Sequence, residues 1–551
     1  MSTQILKQSI CSAHRYFLSC ALIVIMCGAS PGWTQDTSTQ TETSLESRRH
    51  LRRLTLDLWG TLPTEEVLLD LSLEHPLELQ DVERILRDPR AAYFFNRYHL
   101  DRYWPVLEIA ELLNPASALL LPASFYGDLG PDADRLFLIL TGITQRGGFV
   151  PCADEPAQFD ADGELEFEDY PDGTRREGFV WITPYWSETP VKVCALEARS
   201  AETGRYGTRC DQAIGLSNGE CGCGSTLERC ASIESAQILI SSFKEQVERE
   251  GLDHSGLEEG GPRYFELFTR GDEIINGPIA HYYRYIAPMV NDPIIRFSPI
   301  DDAPLSTLTF LDLTEWIRAE RRAPIHSGIL TSFPFLLRFP TARSRANRLS
   351  SELFCEPFVA SGDRLPSPED ECSLNPDLSS RCGCSDCHAR LEPLAAHWGR
   401  FADRGALYLN PQDFPSFDPT CAVCDRQSRS CSEYCRTFYT YESLAERGLP
   451  IPDDSLGLLK SYQWRTREEI SWIEAGPSSL MNTENAKARL SLCTTVKLFE
   501  QLMARSPEGE DWNFIRELSD RFSSHENLAE LTLELLMSPL YLSVNQAELT
   551  R

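Results

Sequence analysis

The sequence predicts a mainly α-helical protein, built of several helical subdomains and interrupted by a disulfide-rich, partly β or irregular insertion. Three observations predict it. Apolar residues recur at three- and four-residue steps before residue 146 and again after residue 231. Glycine, proline and six cysteines crowd the stretch between, 147–230. The chain has 551 residues, enough for about three or four units that each bury a core.

At the N-terminus, Lys7 and Arg15 precede an apolar run, Tyr16 to Cys27, followed by Gly-Ala-Ser-Pro-Gly. This is the plan of a secretory signal over 1–33, with cleavage expected between Ala29 and Thr34. The run is far short of the roughly 20 residues a spanning helix needs. Met26 before Cys27 disfavours a lipid anchor, and no later segment reads as membrane-spanning. The chain is therefore expected to be exported, to a periplasm, a cell surface or beyond. There, the sixteen cysteines left after loss of Cys11, Cys20 and Cys27 meet an oxidising environment. Acidic residues exceed basic ones by 82 to 52, a net charge of -30. Such a surface repels phosphate backbones and anionic lipid heads, so no nucleic-acid partner is expected.

Residues 34–47 are polar and read as a flexible leader. A helical domain follows over 48–146. Leu51, Leu54 and Leu58 run to Gly60, Thr64 caps a second helix, and Leu79–Arg87, Ala91–Tyr103 and Asp132–Thr144 read as further helices. In the insertion, Phe179 to Trp186 is β-like, but Pro184 demotes it to an edge or interrupted strand. Cys210, Cys221, Cys223 and Cys230 read as disulfides rather than zinc ligands, since no histidine lies nearby. Helices are expected again over Ser232–Glu250, Tyr264–Ile286 and Leu305–Glu320 in a unit spanning 231–320. A region with its own chemistry spans 321–405, a second cysteine-rich loop 406–439, and a C-terminal helical domain 440–551.

The chemistry of 321–405 centres on Cys384-Ser-Asp-Cys387-His388, which fits Cys-x-x-Cys-His, the pattern of covalent haem attachment. The spacing sets two thiols one helical turn apart and an imidazole directly after them. Leu391, Leu394, Ala395, Trp398 and Phe401 continue as an apolar stripe, which suits either a macrocycle or ordinary core. Neither Cys424 nor Cys435 precedes a histidine, so one haem c is expected. His397 lies nine residues after His388, roughly across a continuous helix, and reads as a surface or supporting residue rather than a ligand. The candidates for the second iron ligand are Met481 and His326. Between Arg321 and Ser351 there are six arginines and no acid; these either hold haem propionates or pair with acids elsewhere.

Several stretches, in order, resemble the secreted cytochrome c domain families of planctomycete and myxobacterial type. They are Arg52 to Gly60 with Pro63-Thr64; Asp88-Pro89-Arg90; Phe265-Glu-Leu-Phe with Ile275-Asn276-Gly277; Gly328 to Thr331 with Arg345-Ala-Asn-Arg348; and the haem motif followed by Leu391-Glu-Pro393-Leu394. The resemblance covers about 45–545 and is strongest over 326–401. It implies a mostly helical exported protein with a cytochrome-c-like haem region, Cys384 and Cys387 as thioether cysteines and His388 as iron ligand. The cysteine-rich stretches depart from the commoner planctomycete pattern. Cys382 is then expected in a disulfide, with Cys372 as candidate partner. The functional expectation is electron transfer with an unidentified redox partner. Two alternatives are a disulfide-stapled envelope protein without functional haem, and a haem enzyme with an open distal site, peroxidase-like in chemistry. No hydrolase or transferase motif rises above chance.

Overall fold

The computed structural model describes residues 37–71, 73–103, 106–108, 112, 119–120, 136–139, 152–212, 215, 221–290, 296–297, 300, 302–321, 325–359, 367, 369–403, 406–424, 431–441 and 453–542. The expected signal segment 1–33 lies outside them. Helix dominates and the strands are few and short. No described helix is long and apolar enough to cross a membrane.

Helix α1 (Thr37–Trp59) begins inside the segment expected as a flexible leader. That stretch holds neither glycine nor proline, so nothing stops the helix from extending back from the buried Leu51, Leu54 and Leu58. Helices α2 (Glu65–Asp70), α3 (Leu79–Leu86) and α4 (Ala92–Tyr103) follow. Thr64 stands at the N-cap of α2 but makes no side-chain capping bond. Arg53 of α1 donates to the carbonyl oxygens of Leu502 (2.9 Å) and Tyr541 (2.7 Å), and the Tyr541 hydroxyl donates to Asp57 at 2.7 Å. The first helix is thereby locked to the far end of the chain.

The helix expected over Asp132–Thr144 is instead strand β2 (Leu136–Ile139). It lies between β1 (Leu119–Leu120) and β6 (Val191–Cys194) in a four-stranded sheet ordered β1-β2-β6-β5, with β2 parallel to β6. Four apolar residues in a row fit a short buried strand as well as a helical turn, and pairing with β6 decides between them. A hairpin of β3 (Glu168–Asp169) and β4 (Arg175–Arg176) precedes β5 (Phe179–Ile182), which forms the sheet edge and ends before Pro184 as expected. Disulfides Cys152–Cys194, Cys210–Cys221 and Cys223–Cys230 staple this insertion. Its small core, with Trp186, Val193 and Leu196, also takes in Met289 and Phe310 from the next unit.

Helix α5 (Ile233–Asp253) is capped by Ser232. The helix expected over Tyr264–Ile286 breaks into a 3-10 turn (Tyr264–Phe268), strand β7 (Asp272–Ile275), α6 (Gly277–His281) and a π turn leading to α7 (Ala287–Val290). The helix expected over Leu305–Glu320 is likewise replaced. A short α8 (Asp302–Leu305) is followed by β9 (Ile317–Glu320), which pairs antiparallel with β7, while β8 (Arg296–Phe297) pairs with β10 (Leu407–Tyr408). Helices α9 (Phe333–Arg338) and α10 (Ala342–Arg348) lead to α11 (Ser385–Ala396). The second cysteine-rich loop carries α12 (Pro419–Ala422) and α13 (Glu433–Phe438), closed by Cys421–Cys435 and Cys424–Cys431 around a core of its own. The C-terminal part is helical as expected: α14 (Arg467–Ile473), α15 (Pro477–Met481), α16 (Glu484–Met503), α17 (Asp511–His525) and α18 (Leu528–Leu536). One continuous core joins α1, α3 and α4 to α16, α17 and α18 and runs past Trp398.

Candidate haem-attachment site

The site is built from two neighbouring helices. Thr341 starts α10 with a capping box: its hydroxyl accepts from the Ser344 amide at 3.1 Å, and its own amide donates to the Ser344 hydroxyl at 3.0 Å. Ala346, Leu349 and Leu353 form the buried face that follows. The chain then passes through the loop closed by Cys372–Cys382, the expected partners, and turns at Gly383, whose φ of +77° favours glycine. Cys384 stands at the N-cap of α11, and the His388 amide donates to the Cys384 carbonyl at 2.9 Å. The motif therefore occupies the first turn, with its thiols one turn apart.

Seven disulfides pair fourteen of the sixteen cysteines from Cys152 onward; Cys384 and Cys387 are the two left as thiols. Both are half-buried, as are His388, Leu391 and Leu394. Further along, Ala395, Trp398 and Phe401 sink into the main core, and the Trp398 indole donates to the Leu330 carbonyl at 2.9 Å. The expected stripe thus divides, open near the motif and ordinary core beyond it.

His388 Nδ1 is hydrogen-bonded to Glu392 one turn on. In a neutral imidazole, a carboxylate that accepts from Nδ1 leaves the lone pair on Nε2. Among the described residues Nε2 has no hydrogen-bond partner. Glu392 is gripped from α10 by Arg343, with Nε 2.8 Å from Oε1 and a terminal nitrogen 3.3 Å from Oε2. Sequence reasoning missed Glu392. The signal was its position four residues after His388 on a helix.

The candidates for the second ligand are not brought to His388. His326 is buried, with Nδ1 2.8 Å from the Thr331 hydroxyl, and burial holds its imidazole well below its ordinary range. Met481 is core. The two belong to one locality, since the Ser478 amide of α15 donates to the Ser327 hydroxyl at 2.7 Å. That locality lies at the C-terminal end of α11, where His397 Nδ1 is 3.3 Å from the Gly476 carbonyl oxygen. His397 is about 14 Å along the helix from His388. It is also not a surface residue: it is 3% exposed, and burial lowers its imidazole to about 4. Trp472 of α14 stands edge-on to His397 at 4.8 Å.

The arginines of 321–351 are mostly spoken for. Arg321 pairs with the buried Glu273 at 2.8 Å and Arg343 with Glu392. The fully buried Arg345 donates to the carbonyls of Phe339, Leu336 and Pro340, and Arg348 donates at 2.6 Å to those of Asp101 and Arg102. Arg322 lies outside the described residues, and Arg338 is exposed. Pairing within the protein, rather than a propionate clamp, accounts for Arg321, Arg343, Arg345 and Arg348.

No protein family, no curated protein and no solved structure matches this chain. The donor set itself fits a covalently attached haem. It offers two thiols that oxidative pairing has passed over, an imidazole with a free Nε2, and half-covered leucines beside them.

Proposed function

We propose that this chain is an exported c-type cytochrome of the planctomycete and myxobacterial type that carries one haem and serves electron transfer. The observation that carries this reading is the cysteine accounting: among sixteen cysteines, the two without a disulfide are those of Cys-x-x-Cys-His. Cys384 and Cys387 would hold the haem by thioether bonds and His388 would bind its iron. When bound, such a haem supplies an iron that alternates between ferric and ferrous states. The chain's own part is to hold His388 through Nδ1, leave Nε2 without a protein partner and screen one side with Leu391 and Leu394. Seven disulfides agree with an oxidising compartment.

The test is expression in a host with periplasmic haem-attachment machinery, followed by denaturing electrophoresis and a haem-linked peroxidase stain. The wild-type band is expected to stain and the Cys384→Ser/Cys387→Ser chain to stay blank. A blank wild-type band overturns the reading and leaves a disulfide-stapled envelope protein. A second reading, a haem enzyme with an open distal position, is supported by the surroundings of the two candidates, since His326 is hydrogen-bonded to Thr331 and Met481 is packed in the core. Rapid carbon monoxide binding by the ferrous form would select it over electron transfer.

A further inference from the structure

Three groups form a relay across two helices. Arg343 of α10 fixes Glu392, Glu392 is hydrogen-bonded to Nδ1 of His388, and His388 follows the two thiols directly in the motif. We propose that Glu392, oriented by Arg343, is a positioning residue that sets the tautomer of His388 and lowers the reduction potential of the iron it binds. The inference rests on the haem reading above for its second half only. The tautomer is a property of the free chain.

The physical reasoning runs from charge. Among the described residues no backbone carbonyl is placed to accept from the His388 ring. A carboxylate one turn away can, and it draws the Nδ1 proton toward itself, so the ring gains negative character and becomes a stronger donor through Nε2. A stronger donor favours the ferric ion over the ferrous one. Arg343 acts in the opposite sense, since its two contacts partly neutralise the carboxylate while fixing both of its oxygens. The other arginines of α10 do not enter: Arg345 and Arg348 are turned to backbone carbonyls. Glu356, a second acid tied to α11, is engaged by Arg390 at 3.0 Å and Arg489 at 2.7 Å, not by His388.

The variants are Glu392→Gln and Arg343→Gln, singly and together, in the full chain. In the haem-free protein, the nitrogen resonances of His388, assigned by loss in His388→Ala, report the tautomer in alkaline buffer. Wild type is expected to be Nδ1-protonated, and Glu392→Gln to shift the population toward Nε2–H. In the haem-bound protein, spectroelectrochemistry reads the ferric-to-ferrous ratio at fixed potential. Glu392→Gln is expected to lower that ratio about tenfold, about 59 mV for one electron. Arg343→Gln should raise it, and the double variant should follow Glu392→Gln. A purely structural role would loosen His388 in both variants and move them in the same direction. Failure of haem to attach to the wild type defeats the function proposed above, while the resonances still decide the tautomer. Attached haem with equal potentials in wild type and Glu392→Gln, or an Nε2-protonated wild type, overturns the inference.

Discussion

His99 is wholly buried on α4, stacked on Tyr103 at 5.9 Å, and burial presses its imidazole down to about 3. Burial likewise holds His50, His254 and His397 at about 4 and His281 at about 3. Each is neutral in the fold but takes a proton near 6.5 once unfolded. Their contribution to stability is therefore full above pH 6.5 and is lost as the pH falls toward 4 and 3. Glu250 works the other way: burial raises it to about 7, so its protonated form favours the fold below that pH. With His326, six imidazoles outweigh the three carboxyls that burial raises, Glu250, Asp57 and Asp253, and the midpoint of urea unfolding is expected to fall steadily from pH 6.5 to 4. In His99→Phe the ring stack survives without the proton, and the slope of stability against pH should flatten by up to about 1.4 kcal/mol per pH unit. An unchanged slope would show that His99 does not keep its proton off. At this scale the two thiols set apart from the disulfides, Cys384 and Cys387, and the Cys372–Cys382 bond were legible, because both lie within a short stretch of chain. The burial of His397 was not, since it depends on α14 and α15 arriving from about 75 residues downstream.

Helix boundaries set by local chemistry were legible as well. Thr64, read as a cap from sequence, stands at the N-cap of α2, and Thr341 closes a capping box at the start of α10. Thr341→Ala is expected to cost about 1 kcal/mol, seen as a lower denaturant midpoint at unchanged slope. Because α10 carries Arg343, the same variant should weaken the grip on Glu392. The three segments misread as helix, at Leu136–Ile139, Asp272–Ile275 and Ile317–Glu320, share a different physics. Each has four residues, too few for its own period to separate helix from strand, and each is decided by a partner strand at least 40 residues away: Leu136 faces Lys192, and Asp272 faces Glu320. The 3-10 and π turns around α6 have the same origin, in that tertiary contacts override a continuous helical pattern.

Across the whole molecule, Cys355–Cys493 joins the chain just after a π turn that follows α10 (Leu349–Leu353) to α16, a separation of 138 residues, and encloses the Cys-x-x-Cys-His motif and the second cysteine-rich loop. Glu356, next to Cys355, is held by Arg390 of α11 and Arg489 of α16, so the bond and the ion pairs clamp the same junction. Closing so long a loop removes much of the freedom of the unfolded chain. Cys355→Ala/Cys493→Ala is expected to lower stability by about 2–4 kcal/mol in guanidinium unfolding. Loss of less than about 1 kcal/mol would place the clamp in Glu356 alone.

The lock between α1 and Tyr541 also carries a schedule. Arg53 and Asp57 find their partners across a separation of more than 480 residues. At about 5–20 residues per second, the ribosome takes roughly 25–100 s to deliver the second half of that contact after the first. For that interval the Arg53 side of α1 lacks its counterpart, and folding of the N-terminal unit stays incomplete until synthesis is nearly done. The emerging chain is thus open rather than a closed domain, and the last contacts made are the ones that hold the first helix down.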